Sequence, residues 1–235
     1  MTVPLLPGDH VIDRRWLLAI DTSTEQAGLA LFDGVALSDI SWPAARTQTV
    51  SLLPRVRELL DSLGLTIEDV GAVGIARGPG TFTGLRVGLS VAKGLMIVPN
   101  RSLIAVDTLH ITAAPFVAAG IATLAVLPAG RRRLVWAVFE EGSQPSPARN
   151  TTLDELLIYL ASRPSIETVG ELLPDQRAAL ADAHRPVLPQ ASGARRPGVL
   201  AELAWNRWLR GDVDDPVAIE PLYLHGKVLG GATGS

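Results

Sequence analysis

Residues Ile75-Ala-Arg-Gly-Pro-Gly-Thr-Phe-Thr-Gly-Leu-Arg-Val-Gly-Leu89 carry the most specific local pattern in the chain. They predict a strand, a loop and a helix in close succession. The run Val70 to Ala76 is short and rich in β-branched residues, and Gly78-Pro79-Gly80 then places permissive and fixed φ angles side by side. A helix is predicted just after. Thr81 or Thr83 would cap its free backbone N–H groups, and Leu85, Leu89, Ala92 and Met96 recur at helical spacing. Gly84 and Gly88 stand one turn apart with Ala92 continuing the row, so bare backbone would let another helix approach closely.

Before this block, Trp16 to Asp21 reads as a central strand that empties into Thr22-Ser23-Thr24. Ala27 to Phe32 and Val35 to Trp42 read as two further strands, with Asp33-Gly34 as a two-residue hairpin signal. Leu52, Leu53, Val56, Leu59, Leu60 and Leu63 then mark an amphipathic helix ended by Gly64, with Pro54 in its first turn if Thr49 or Ser51 caps it. After the block the pattern begins again. Strands are predicted at 102–106, 123–127, 134–139 and 168–170, and helices at 109–119, 152–161, 175–183 and 199–210. Residues 140–150 and 190–198 read as a loop and a linker. The stretch 216–224 reads as an extended tail packing on the body. The organisation is therefore a first lobe at 16–108, a smaller second lobe at 109–195, and a helix and tail at 196–225. Loose extensions are expected at 1–15 and from 226 onward.

The chain has 235 residues, long enough for a substantial core, and 47% hydrophobic against 19% charged residues argues against disorder. A formal net charge of −3 gives no general attraction to nucleic acid. Cysteine is absent, which removes disulfides and thiol nucleophiles and makes the cytoplasm the expected compartment. The start of the chain lacks the continuous apolar stretch of a secretory signal. Ile111 to Gly130 has no charged residue and is followed by three arginines, yet Pro115, Gly120 and Pro128 favour a buried helix and a core strand over a membrane span.

A metal-dependent transferase or peptidase would want two histidines one turn apart on a helix, and His10, His110, His184 and His225 are scattered singly. A nucleotide kinase of two-lobed form would want glycine-rich loops in both lobes. Only Gly78-Pro79-Gly80-Thr81, with Thr83, offers a candidate anion loop at a helix start. Asp21 could join a phosphate-site network, but a strand-end carboxylate more often bonds the backbone of the next residues. Arg86 and Lys93 would face acidic groups of a partner or merely solvate their helix. Arg131-Arg132-Arg133 and Arg195-Arg196 are candidate RNA contacts set against ordinary turn residues. Trp16, Trp42, Trp136, Trp205 and Trp208 are expected as core or lobe-interface anchors.

Several blocks together resemble one family. The Ala-Ile-Asp-Thr-Ser-Thr ending at 19–24, Ser51-Leu-Leu-Pro54, Gly78-Pro-Gly-Thr-Phe-Thr-Gly-Leu-Arg-Val-Gly-Leu89 and Glu220-Pro-Leu-Tyr-Leu224 are similar to the TsaB (YeaZ) family, most densely over residues 16–110. The resemblance implies an α/β, two-lobed actin-like, sugar-kinase and Hsp70-type (ribonuclease H-like) fold. It also implies a non-catalytic scaffold that binds a TsaD-type paralogue, the subunit that transfers a threonylcarbamoyl group to the adenosine adjacent to the anticodon of tRNA. A TsaE-type ATPase would join the assembly. The chain itself would hold no catalytic residue, metal or cofactor, would meet tRNA through the complex and would need no membrane. The docking face, shared with a second copy of the chain in a homodimer, would comprise Leu52, Val56, Leu59, Gly84, Arg86, Gly88, Val91, Ala92 and Leu95. On that basis Gly88→Leu is expected to abolish partner binding and leave the fold intact.

Two departures from the family stand out. Relatives often carry His-Ser-Glu where this chain has Gln48-Thr49-Val50, and Asp-Ala-Arg where it has Pro128-Ala129-Gly130-Arg131. The alternative reading is an independent small-molecule kinase or ATPase of the actin-like class.

Overall fold

The computed structural model describes residues 16–44, 48–185 and 187–223. A first sheet has the order β3-β2-β1-β4-β5, formed by β1 (Trp16–Asp21), β2 (Gln26–Phe32), β3 (Leu37–Pro43), β4 (Val70–Gly78) and β5 (Ser102–Asp107). β1 runs antiparallel to β2 and parallel to β4, and β4 is parallel to β5. A second sheet, β8-β7-β6-β9, repeats this plan with β6 (Thr123–Pro128), β7 (Leu134–Phe139), β8 (Arg149–Thr151) and β9 (Glu167–Gly170). There β6 is antiparallel to β7 and parallel to β9.

The strict alternation of strand side chains separates two cores. Leu18, Ile20, Leu29, Leu31, Val73 and Ile75 face helices α1 (Gln48–Ser62) and α2 (Phe82–Leu95). Leu17, Ala19, Ala30, Ala72 and Ala76 face the opposite way, onto Leu200, Ala201 and Ala204 of α7 (Pro197–Leu209). That second face is small by design of the sequence. A Cβ on Gly74 would stand 2.8 Å from the Ala204 Cβ, and one on Gly28 would stand 2.2 Å from the Pro197 ring. A close helix approach is made here by α7 over Gly28 and Gly74 of the first sheet, residues that the sequence reading does not single out.

Helix α3 (Thr108–Val117) lies between the sheets. Ile111 joins the α7 core, whereas Leu109 and Ala113 pack on Ala125, Leu127, Val135 and Ala137 of the second sheet. The outer face of that sheet is covered by α4 (Leu153–Ala161) and α5 (Pro174–Asp182), whose Leu156, Leu160 and Leu180 surround the buried Trp136. The layers therefore run helices, sheet, helices, sheet, helices. Pro115 near the end of α3 and Gly120 at φ 77° break the uncharged stretch before β6. Among the described residues no helix is long and apolar enough to cross a membrane.

Several local expectations meet their predicted chemistry. Thr81 caps α2 by accepting from the Gly84 N–H at 3.3 Å. Gly64, at φ 67°, ends α1 while the Leu65 N–H returns to the Leu60 carbonyl. Thr152 and Glu155 form a reciprocal capping box at α4, directly after Asn150 and Thr151 of β8. The backbone and hydroxyl of Thr152 hold the Glu155 carboxyl below the usual carboxylate range. Thr152→Ala is expected to lower the melting temperature by roughly 2–4 °C in a thermal melt, the usual consequence of losing one cap.

Others need correction. Helix α1 begins at Gln48, which puts Pro54 inside the helix, with no N–H to offer the Val50 carbonyl one turn back. Ser51 lies within the helix with its hydroxyl unpartnered, so it is not a cap. The β2–β3 connection is a four-residue turn: the Asp33 carboxylate accepts from the Val35 and Ala36 N–H groups, and the Asp33 N–H donates to the Ala36 carbonyl. The loop at 140–150 contains the start of edge strand β8, and the linker at 190–198 contains a single turn, α6 (Gln190–Gly193). The tail packs on the body: Ile219 is buried and the Leu222 N–H donates to the Arg77 carbonyl at 2.8 Å. Residues 1–15 and 224 onward, with His10, Leu224 and His225, lie outside the described residues.

Candidate functional site

Strands β1 and β4 deliver Asp21 and the Gly78–Thr81 loop to the same end of the first sheet, the carboxyl ends of its parallel strands, where open α/β sheets present ligand sites. Both are closed from within the chain. The Asp21 Oδ1 accepts from the Ser23 N–H at 2.9 Å and the Ser23 hydroxyl at 2.6 Å, the structural role expected of a strand-end carboxylate. The glycine loop leans on the same turn. The Thr81 N–H donates to the Ser23 carbonyl at 2.7 Å, and a Cβ on Gly80 would stand 2.1 Å from that oxygen. Gly78, at φ 120° and followed by a cis peptide bond to Pro79, sits under the Leu222 carbonyl. Gly80 thus serves a backbone contact with the β1–β2 turn.

The remaining oxygen of Asp21 meets a residue that no local pattern connects to it. Arg195 Nε donates to Asp21 Oδ2 at 2.5 Å, Nη2 donates to the Thr24 hydroxyl at 2.9 Å, and Nη1 donates to Glu171 Oε1 at 2.7 Å. The Arg195 and Asp21 side chains are 2% and 5% exposed, so the pair is desolvated. Burial works against the guanidinium's charge, and Asp21 followed by Glu171 outweighs it, holding the Arg195 pKa above its ordinary value. The only sequence signal was Arg195-Arg196 before a helix start, read as a turn or an RNA contact. Arg196 is exposed and precedes α7, whereas Arg195 is internal. In the other run, Arg132 pairs with Asp175 and Arg133 bonds the side chain and carbonyl of Asn150.

Between the lobes a cavity of about 310 Å³ is walled by the Pro79–Phe82 loop, the Pro128–Gly130 turn with Val135, and Tyr223 of the tail. Phe82 stacks on Tyr223 with ring centroids 5.4 Å apart, and the Arg86 guanidinium lies 3.8 Å over the Phe82 ring while its Nε donates to the Tyr223 hydroxyl. Arg86 therefore anchors the tail. Among the described residues no three His, Asp or Glu side chains converge in a metal-binding group.

Most residues of the expected docking face lie inward, whereas Arg86 is exposed. Leu52, Val56, Leu59 and Ala92 are buried in the core between α1, α2 and the first sheet. Gly84 and Gly88 face inward: the Thr22 hydroxyl donates to the Gly84 carbonyl at 2.7 Å, and a Cβ on Gly88 would stand 2.3 Å from the Thr22 Oγ1. Val91 and Leu95 are half-buried against the same core. Helical periodicity identified a row of small residues but assigned it to the wrong side of the helix. Outward positions are Val50 and Leu53 in the first turns of α1, Gly94 near the end of α2 and Ile97 just beyond it. Val50 is 74% exposed, Leu53 56% and Ile97 84%, and a Cβ on Gly94 would meet nothing within 4 Å.

Two lobes of repeated topology, five alternating layers and a strand-end aspartate beside a glycine loop define a two-lobed α/β protein of the actin-like, ribonuclease H-like class. A family model described as TsaD, tRNA N6-adenosine threonylcarbamoyltransferase, matches residues 42–164, just over half of the chain. The chain is 37% identical over 93 residues to the tRNA threonylcarbamoyladenosine biosynthesis protein TsaB of Escherichia coli strain K12, covering 40% of each chain. It is 41% identical over 93 residues to the TsaB protein of Haemophilus influenzae, covering 40% of this chain and 39% of the relative. These matches span about two-fifths of the relatives' length. The solved structure of YeaZ from Pseudomonas aeruginosa superposes with a TM-score of 0.71 at 25% identity, over 89% of this chain and 100% of that one. The chain belongs to the TsaB (YeaZ) family, within the wider family that the TsaD model describes.

Proposed function

We propose that the chain is an accessory, non-catalytic subunit of the machinery that places a threonylcarbamoyl group on the adenosine adjacent to the anticodon of tRNA. It docks a TsaD-type catalytic paralogue, a TsaE-type ATPase joins the assembly, and tRNA is met through the complex in the cytoplasm. One observation carries the reading: Asp21, the carboxylate where a reacting or metal-binding group of this fold would stand, has its two oxygens committed to Ser23 and Arg195. With both oxygens engaged internally, Asp21 is not free to serve as the proton acceptor that transfer chemistry requires. The names of the relatives support the assignment to tRNA modification.

Docking then falls to the outward surface of α1 and α2, where Val50 and Leu53 in the first turns of α1 are exposed apolar residues and Gly94 near the end of α2 leaves its backbone bare. In the absence of the paralogue a second copy of the chain would use the same surface. Co-purification and calorimetry with a TsaD-type partner test the assignment. Leu53→Glu, which puts a charge in place of an exposed apolar side chain on that surface, should weaken the complex roughly tenfold or more. Gly94→Trp should do the same with an unchanged melting temperature. Unaltered affinity in both variants would remove this surface from consideration.

A further inference from the structure

Arg195, Asp21, Thr24 and Glu171 are far apart in sequence and belong to different parts of the fold. Asp21 ends β1, and Thr24 lies in the turn that follows it, both in the first lobe. Glu171 follows β9, and its N–H donates to the Val126 carbonyl of β6, so it moves with the second sheet. Arg195 stands between α6 and α7, and each end of its guanidinium finishes on a different one of these elements. The Thr24 hydroxyl also donates to Glu171 Oε1 at 3.0 Å, which closes the polar ring across the two lobes. Along the interior, the lobes already share α3, whose apolar side chains enter both cores.

We propose that Arg195 is the pin of an interlobe latch, with α3 as the packed hinge and the Glu171 arm as the part that releases. Apolar packing along α3 tolerates a change of tilt, whereas a guanidinium held by three oxygen partners fixes both distance and direction. Release falls to Glu171 because it is the most accessible charged member, with a side chain 20% exposed against 5% for Asp21 and 2% for Arg195. Opening widens the cleft between the Pro79–Phe82 loop and the Pro128–Gly130 turn, so the latch sets how far the interlobe cavity is closed.

Because the chain has no cysteine, one cysteine introduced at Glu58 and one at Ile158 report the separation of the lobes through spin labels. Both positions are exposed on outer helices, one per lobe. Pulsed electron spin resonance on the otherwise unaltered chain should give a narrow distance distribution. Glu171→Ala should broaden it and move it to longer distance, and Glu171→Gln, which keeps an acceptor for Arg195, should restore most of the narrow peak. Thr24→Val, which removes the hydroxyl that joins both arms, should shift the distribution the same way and serves if Glu171→Ala yields no soluble protein. A folded Glu171→Ala or Thr24→Val protein with the unaltered distribution would overturn the latch and leave the cluster a local structural feature.

Discussion

Gly88→Leu should destabilise the first lobe, not silence a surface. The Cβ alone would stand 2.3 Å from the Thr22 Oγ1 and 3.1 Å from the Ile75 Cδ1, and the leucine branch would have to enter the sheet–helix core. Overpacking of this kind costs about 1–3 kcal/mol or more, and loss of the Thr22–Gly84 hydrogen bond adds about 1 kcal/mol. For a chain of this size the melting temperature should fall by roughly 6–12 °C. A graded check comes from Gly88→Ala, alone and with Thr22→Ala. Removing the hydroxyl leaves the Thr22 Cβ at an ordinary 3.6 Å, so the double variant should be more stable than the sum of the single losses implies. A Gly88→Leu protein that melts at the unaltered temperature would show that the row faces outward after all.

Arg195→Met should cost more. It leaves the Asp21 side chain, 5% exposed, with a desolvated oxygen and no cation, and Thr24 and Glu171 each lose a donor. Removing one partner of a buried ion pair costs about 3–5 kcal/mol. Urea unfolding should therefore show a midpoint shift that is the largest of any single polar substitution proposed for this chain. Pairing Arg195→Met with Asp21→Asn removes the stranded charge and should recover a substantial part of the loss. If Arg195→Met were as stable as the unaltered chain, the guanidinium would contribute nothing beyond filling space.

What the sequence shows and what it hides divide along a physical line. Strands and helix ends were readable because their causes are local: Thr81 and Thr152 cap, Gly64 takes a positive φ, and Leu17 to Ile20 alternate between two cores. The direction of the Gly84–Gly88 row was not. Periodicity fixes which residues share a helix face, but whether that face meets solvent or a sheet depends on the partner across it, here Thr22. The better signal lay in the strands, where Gly28 and Gly74 sit among alanines and leave space for α7. Arg195 was hidden for another reason. It meets Asp21 across 174 residues, and a charged residue in a linker-like stretch gives no sign that it is buried.

Reconstitution of tRNA modification tests the central claim most directly. A TsaD-type partner, a TsaE-type ATPase, threonylcarbamoyl donor and unmodified tRNA would be combined with and without this chain, and threonylcarbamoyladenosine measured by mass spectrometry. The predicted result is product only when the chain is present, loss of that product with Leu53→Glu, and no product from the chain alone. Full modification by the partner in its absence, or modification by the chain without the partner, would contradict its role as a docking subunit.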